Sequence, residues 1–337
     1  SDLEFSLIDT YFRDVSFQRK DVLLGIGDDC AITQIPAGQA LATTTDTLVS
    51  GVHFLPDADP KAIAQKAIAV NLSDLAAMGA EPAWLSLSLS LPNVDENWLK
   101  AFSEGFKELT EYYSIQLIGG DTVQGPLAIT ITAQGFVAAD QALKRSGAKP
   151  GDFVYVTGTL GDAGLGLDIL QDHTDVDNAE HKAYLLNRLH YPSPRVFAGT
   201  SLRRVANACI DISDGLLADI KHILKASQCG ACLQLDKLPL SSAMVDSVDQ
   251  DSAFHYALSS GDDYELLFTV SEEQKSSVDR VLACSNVPAT CIGQINGAVG
   301  KVDLKFNDES YAYSQTGFEH FNSGESSNKH CNNAKRA

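Results

Sequence analysis

Ala83-Trp84-Leu85-Ser86-Leu87-Ser88-Leu89-Ser90-Leu91 alternates leucine with serine from position 85 onward. Successive side chains of an extended chain point to opposite faces. This period of two therefore writes a β-strand with one apolar face and one small, hydroxyl-bearing face. Its flanks read as helices. Upstream, Asp59-Pro60 opens an Ala-rich run through Met78 that Gly79 stops, with Asp as N-cap, Pro in the first turn and Gly at the end. Downstream, a second helical run covers about residues 95–112. A short strand at 116–118 then delivers Gly119-Gly120-Asp121, and 127–137 is a further strand. The first half is expected to be a mixed sheet with two helices.

With 337 residues the chain exceeds one typical core, and two domains are expected. Gly147, Pro150 and Gly151 punctuate residues 146–152 and place the boundary there, giving domains 1–145 and 146–321. In the second, a strand at 153–156 leads into Gly161-Asp162-Ala163-Gly164-Leu165-Gly166 and a helix to about 170. A polar stretch (172–181), a helix around 195–206, a strand (208–212) and a helix (216–226) follow. Strands are read at 232–235, 264–270, 290–295 and 302–306, and Ser271 with Gln274 forms a capping box. The expected class is α/β (α+β), a layered two-domain chain. Residues 322–337 are polar and aperiodic, the composition of a disordered tail.

The balance of 25 basic to 44 acidic residues gives a net charge of −19. That argues against nucleic acid, whose binding rests on Lys and Arg neutralising phosphates. No apolar run approaches the ~20 residues needed to span a bilayer, and no signal-peptide pattern opens the chain. Seven scattered cysteines suit the reduced thiols of a cytoplasmic protein. Cys229-Gly230-Ala231-Cys232 is a lone CxxC, with neither the second pair a zinc site wants nor a redox context; it reads as structural thiols.

Aspartates recur beside glycine or a hydroxyl residue: Gly27-Asp28-Asp29, Thr44-Thr45-Asp46, Ser73-Asp74, Gly119-Gly120-Asp121, Asp211-Ile212-Ser213-Asp214 and Gly261-Asp262-Asp263. Most follow an apolar run and are expected where a strand gives way to a loop. Carboxylates gathered there repel one another unless hard cations lie between them, and Mg²⁺ takes oxygen ligands and usually arrives with phosphate. A highly acidic chain also needs cations to hold a phosphorylated substrate. Each motif has a plainer reading. Asp46 could close a surface turn, although three consecutive hydroxyls beside an acid make a good hard-cation set. Asp74 falls inside a helix, with Asn71 on the same face, and taken alone reads as solvated. Ser213 can cap the helix after it, and Asp214 suits the positive helix end, which is also a phosphate cradle; capping does not account for Asp211 as well. Arg145 is a surface arginine or a bidentate phosphate contact. His53, alone on an apolar stretch, reads as packed and hydrogen-bonded. The Gly161–Gly166 run is not GxGxxG, and helix–strand packing explains it at least as well as phosphate contact. No GxxxxGK[ST] loop and no protein-kinase motif occurs.

Taken together, Gly25-Ile26-Gly27-Asp28-Asp29, Thr45-Asp46-Thr47, Val70-Asn71-Leu72-Ser73-Asp74-Leu75-Ala76-Ala77-Met78-Gly79, Gly119-Gly120-Asp121, the run from Arg145 to Gly151, Asp211 to Leu216 and Gly261 to Leu266 resemble the thiamine-monophosphate kinase family. The resemblance covers roughly residues 3–321, within the superfamily of aminoimidazole ribonucleotide and selenophosphate synthetases. It implies an N-terminal domain that dimerises through its sheet, so that the serine face of 85–91 meets a partner subunit. It implies transfer of the ATP γ-phosphate to thiamine monophosphate. By resemblance, Asp29, Thr44, Thr45, Asp46, Asp74, Asp121, Asp211 and Asp214 would hold several Mg²⁺ ions. Tyr113, Gly120, Asp121, Arg145 and Ser213 would contact ATP, and His53, Asp262 and Phe318 the thiamine phosphate. No covalent nucleophile is expected. Two departures stand out: Asp262 replaces a usual glutamate, and Phe318 a usual Tyr or Trp, which keeps the stacking face. The rivals are a sister synthetase and a non-catalytic nucleotide sensor. A selenophosphate synthetase would need a reactive Cys near its N-terminus, and none precedes Gly25.

Overall fold

The computed structural model describes residues 2–314 and 317–320, the last four by their backbone alone. The 322–337 tail lies outside the described residues. Backbone packing divides the chain into two compact units. One comprises the residues up to Leu75 with Ala80–Ala142, the other Ala76–Gly79 with Leu143 onward.

In the first unit, α1 (Asp2–Leu7) runs into a π-helical turn, and β1 (Val22–Leu24) pairs with β2 (Ile32–Thr33) around the Gly27-Asp28-Asp29 turn. Then come β3 (Ala40–Val49), α2 (Pro60–Ala77), β4 (Glu81–Leu91), α3 (Glu96–Tyr113), β5 (Gln116–Gln124) and β6 (Ala128–Val137). The strands form one sheet in the order β3-β6-β4-β5, parallel only between β4 and β5. Local chemistry sets the helix starts. Asp59 accepts from the Lys61 N–H at 3.0 Å, and Asp95 accepts from the N–H groups of Asn97 and Trp98. The leucines at 85, 87, 89 and 91 are all buried and Ser88 is exposed, as the alternation predicts. Trp84 packs edge-on against Phe136 and donates its indole N–H to Asp21 at 3.0 Å. Asp21 also takes the guanidinium of Arg19, which docks the N-terminal segment on this core.

One expectation fails here. Gly119-Gly120-Asp121 does not follow a short strand; it lies inside β5, which runs on to Gln124. Asp46 likewise sits within β3 rather than at its end. The reason is non-local: β4 pairs with β5 from Trp84↔Gln116 to Leu91↔Gln124, so a ladder holds glycines that would form no strand alone. A Cβ on Gly120 would lie 1.8 Å from the Leu87 carbonyl oxygen, whereas one on Gly119 meets nothing within 4 Å. Gly120→Ala should therefore lower stability by about 1–3 kcal/mol or more, and Gly119→Ala by far less. Chemical denaturation of the two variants side by side checks this; equal losses would show that the β4 backbone yields.

The second unit builds an eight-stranded sheet from β7 (Phe153–Thr157), β8 (Ala208–Ile212), β9 (Gly230–Gln234), β10 (Glu265–Val270), β11 (Ala289–Asn296), β12 (Val302–Phe306), β13 (Glu309–Ser314) and β14 (Gly317–His320). Its order is β14-β13-β12-β9-β11-β7-β10-β8, with β9 and β12 the parallel pair. The helices are α4 (Asp162–Leu170), α5 (Ala179–His190), α6 (Val196–Ser201), α7 (Leu216–Ser227), α8 (Ser242–Ser247), α9 (Gln250–Ser259) and α10 (Ser277–Leu282). All of β10 is buried, and Val154, Ile210, Ile212 and Leu267 pack in one cluster with Leu216, Ile220 and Ile223 of α7. The glycine-rich run serves packing. A Cβ on Gly161 would lie 2.8 Å from the Ala257 nitrogen, on Gly164 2.2 Å from Ser260 Cβ, and on Gly166 2.5 Å from the Leu185 carbonyl. These glycines let α4 approach α9 and α5.

Candidate functional site

In the first unit three of the expected ligands meet. Thr44 of β3 donates its hydroxyl to Asp74 of α2 at 2.9 Å. Asp46, two residues along the same strand face, comes within hydrogen-bond reach of Asp74. Asp74 is thus not a solvated helix position: α2 turns it toward the sheet. Asp46 is exposed as a residue, yet its carboxyl is partly enclosed and pushed up to about 7, first by burial and then by the hydrogen bond and charge of Asp74. One turn before Asp74, Asn71 is fully buried; it donates to the Ala67 carbonyl, while its Oδ1 has no hydrogen-bond partner among the described residues. The Asp46 and Asp74 carboxyls, with the Thr44 hydroxyl bonded to Asp74, form an all-oxygen set that suits a hard divalent cation. Thr45 faces the other way, donating to the Ile131 carbonyl and accepting from Thr132, both at 3.1 Å.

The sheet register relates the remaining residues. Asp46 pairs with Ile131, Ile131 with Leu87, and Leu87 with Gly120, so Asp46 and Gly120 occupy one row on the two opposite edge strands, and Asp121 falls in the next row, with Ser88, Thr130 and Thr47. Three strand spacings span roughly 14 Å, too wide for one Mg²⁺ with ligand bonds of about 2.1 Å. Asp29 is exposed in the turn between β1 and β2, and Asp121 is exposed on β5. Tyr113 ends α3 half-buried, edge-on to Tyr112. His53, expected to be packed, is exposed in the turn after β3, where its Nδ1 accepts from the Val49 N–H at 2.9 Å. An accepting Nδ1 leaves the ring proton on Nε2, facing away from that bond as a donor.

In the second unit, Asp211 is buried in β8, Ser213 is half-buried and Asp214 exposed. The expected phosphate cradle is already filled. Asp219 Oδ2 accepts from the N–H groups of Ser213 at 2.9 Å, Asp214 at 3.0 Å and Gly215 at 3.2 Å. Donor atoms of Asp214, Asp219 and His222 come within 4.8 Å of one another. Asp262 adopts φ 68° and Tyr264 φ 52°, both left-handed. The Asp262 N–H donates to the Ser213 carbonyl at 2.9 Å and the Tyr264 N–H to that of Ile212 at 2.8 Å. Arg145 is exposed, and its carbonyl accepts from Ser227. Phe318 belongs to β14, its backbone opposite Tyr313. The CxxC offers no nucleophile at Cys229, where burial pushes the thiol up to about 11.

Beneath the Asp262 loop lies a charge network that sequence reasoning missed. Fully buried Glu265 takes Arg195 at 2.5 and 2.9 Å, Arg188 at 3.2 Å and the Thr157 hydroxyl at 3.0 Å. Arg188 also reaches buried Asp162, to which Thr159 and Ser241 donate at 2.6 Å. Burial alone would pull Arg188 down, but Glu265, Asp162 and Asp263 together hold it above its ordinary value. Buried Asp263 accepts from the Gly161 N–H, and burial pushes its carboxyl well up.

The Asp46 shift fixes a pH dependence. Between 3.8 and about 7 the folded chain holds a proton that the unfolded chain releases, so stability falls as pH rises through that window. A cation needing the carboxylate must expel this proton. Calorimetric Mg²⁺ titration at pH 6, in two buffers of different ionisation enthalpy, should report release of about one proton per site, and close to none at pH 8.5. Identical heats in both buffers at pH 6 would contradict it.

Residues 27–137 match the N-terminal domain, and residues 149–305 the C-terminal domain, of the AIR synthase related proteins. The chain is 52% identical over 318 residues to the thiamine-monophosphate kinase of Escherichia coli (strain K12), covering 94% of this chain and 98% of that protein. The crystal structure of the thiamine-monophosphate kinase from Stenotrophomonas maltophilia K279a superposes with a TM-score of 0.83 at 44% identity, covering 91% and 97% of the two chains. The structure of AaThiL complexed with AMPPCP and TMP gives 0.72 at 31% identity, covering 95% and 98%. The mixed α/β architecture expected from the sequence is that of these relatives, and the chain belongs to the thiamine-monophosphate kinase family.

Proposed function

We propose that this protein transfers the γ-phosphate of ATP to thiamine monophosphate, giving thiamine diphosphate and ADP. The observation that carries this reading is 52% identity to a thiamine-monophosphate kinase along nearly the whole of both chains. The AaThiL complex with AMPPCP and TMP supports the same pair of reactants, since that structure covers 95% of this chain at a TM-score of 0.72. The Thr44–Asp46–Asp74 cluster supplies the oxygen donors such a reaction requires.

Asp29, Thr44, Thr45, Asp46, Asp74, Asp121, Asp211 and Asp214 are the proposed Mg²⁺ ligands, divided between domains 1–145 and 146–321. When bound, Mg²⁺ neutralises phosphate charge and aligns the two anionic reactants. Tyr113, Gly120, Asp121, Arg145 and Ser213 would hold ATP. Because Asp219 occupies the N–H groups of 213–215, Ser213 has its hydroxyl rather than its backbone to offer. The Nε2–H of His53 would donate to the phosphate of thiamine monophosphate, with Asp262 and Phe318 on the same substrate. An oxygen of that phosphate attacks the γ-phosphorus in line; the new P–O bond forms as the bond to the β,γ-bridging oxygen breaks, and ADP leaves. The nucleophile is already anionic, so no side chain has to take a proton.

The working form is proposed to be a homodimer joined through the first unit's sheet. Both edges, β3 and β5, carry proposed ligands in adjacent rows yet lie too far apart to share an ion within one sheet. A second copy pairing β3 with the partner's β5 places Asp46 one strand from Asp121 of the partner subunit. No helix among the described residues is long and apolar enough to cross a membrane, and a cytoplasmic location is proposed.

The test is ADP release from Mg-ATP with thiamine monophosphate as acceptor, alongside free thiamine and an Asp121→Asn variant. Turnover with the monophosphate alone, lost in the variant, is expected. Tight ATP binding without turnover would favour a sister reaction or a nucleotide sensor.

A further inference from the structure

Asp219 is a buried acid that the proposed reaction does not use, and it anchors the loop that in turn holds the neighbouring one, the two expected to carry both reactants. It is 2% exposed on the first turns of α7. Its single oxygen Oδ2 fixes three consecutive backbone N–H groups, those of Ser213, Asp214 and Gly215. The carbonyls of Ser213 and of Ile212, the residue just before that segment, suspend the neighbouring loop: Ser213 accepts from Asp262, and Ile212 from Tyr264. Asp262 and Tyr264 are held at positive φ, a conformation that side-chain-bearing residues keep only when the surroundings impose it. Gly261 closes the contact, since a Cβ there would lie 2.8 Å from the Ser213 carbonyl.

We propose that Asp219 is a positioning residue for phosphoryl transfer, whose carboxylate sets the Ser213–Asp214 loop and, through the Ser213 and Ile212 carbonyls, the left-handed Asp262 loop. This rests on the function proposed above. Asp219 touches neither reactant. Its work is geometric: an acceptor oxygen at one place holds the ATP-side hydroxyl and the acceptor-side carboxylate in fixed register, and small misplacements cost much in such reactions.

The experiment compares Asp219→Ala, Asp219→Asn and Asp219→Glu with the wild-type chain, measuring kcat, KM for each reactant, Mg-ATP affinity by equilibrium titration, and thermal midpoint. Asn keeps an acceptor oxygen in place; Glu keeps the charge but moves the oxygen by one methylene. Asp219→Ala and Asp219→Glu should lose roughly 10–100-fold in kcat/KM while Asp219→Asn stays within several-fold of wild type. Ile223→Val, buried on the same helix, serves as the destabilised control and should lower the midpoint without changing kinetic constants. Wild-type constants in Asp219→Glu, or losses that simply track the folded fraction as in the control, would overturn the proposal. If Asp219→Ala does not fold, the Asn–Glu pair decides alone. If the wild-type chain does not turn over thiamine monophosphate, the functional reading fails separately. The positioning role is then read from Mg-ATP affinity, weakened in Asp219→Glu and kept in Asp219→Asn if it holds, unchanged in both if it does not.

Discussion

Glu265→Ala should cost on the order of 3–5 kcal/mol of stability, the range for removing one partner of a buried ion pair. Glu265 is fully buried on β10, between β7 and β8, and serves two guanidiniums at once. Arg195 grips both its oxygens and Arg188 adds a third contact. Removing the carboxylate leaves Asp162 as the nearest ionic partner of Arg188 and none of these contacts for Arg195; the two arginine side chains are only 11% and 22% exposed. The Thr157 hydroxyl, which donates to Glu265 and accepts from the Leu266 N–H, loses its acceptor as well. Glu265→Gln should retain part of the hydrogen bonding and still lose most of the charge compensation. Urea denaturation, read as a shift in midpoint at constant slope, measures both. A loss below about 1 kcal/mol for Glu265→Ala would mean that water reaches the network and screens it. Gly158 belongs to the same construction: a Cβ there would lie 2.3 Å from the Glu265 carboxylate, so the turn after β7 has been kept bare to admit the acid.

That network shows where sequence reading stopped. The strand 85–91 and the starts of α2 and α3 were legible because their signals are local: strict alternation, and an Asp placed to cap. β5 was underread because glycine disfavours a strand and only the β4 ladder, distant in sequence, extends it. The 172–181 stretch is only polar in sequence, yet α5 begins within it at Ala179, where Asn178 caps the helix by accepting from the His181 N–H; its buried stripe is only Leu185 and Leu189. α8 and α9 likewise start from Ser241 and Asp249 caps inside a hydrophilic region whose period is weak. The candidate site divides the same way. Glycine-flanked aspartates advertised themselves, but that Asp74 faces Thr44, that Asp219 ties up 213–215, and that Glu265 is buried all depend on which surfaces meet. An acid four residues after Gly215, near a helix start, was the only hint of Asp219.

Asp46→Asn and Asp121→Asn should each lower turnover by roughly 100-fold or more, beyond the ~10–100-fold that outer-shell partners of a metal cost. Asn at 46 removes the charge that offsets a divalent ion and also the raised carboxyl that holds a proton, so the release of protons on Mg²⁺ binding near pH 6 should vanish in Asp46→Asn and persist in Asp121→Asn. The stronger consequence comes from their places on opposite edges of one sheet. If each site draws Asp46 from one copy and Asp121 from the other, a dimer with one variant of each kind has one site carrying both lesions and one site carrying neither. Co-expressing the two inactive chains in equal amounts should then restore about a quarter of wild-type activity, half the dimers being mixed and each having one intact site. If the two aspartates served a site within one chain, every site in the mixture would carry a lesion and no activity would return. Purification through two different tags isolates the mixed dimer, in which the expected recovery rises to about half. The same preparation shows whether the chain dimerises. A monomer in solution would leave Asp46 and Asp121 on edges roughly 14 Å apart, with no second sheet to bring them together.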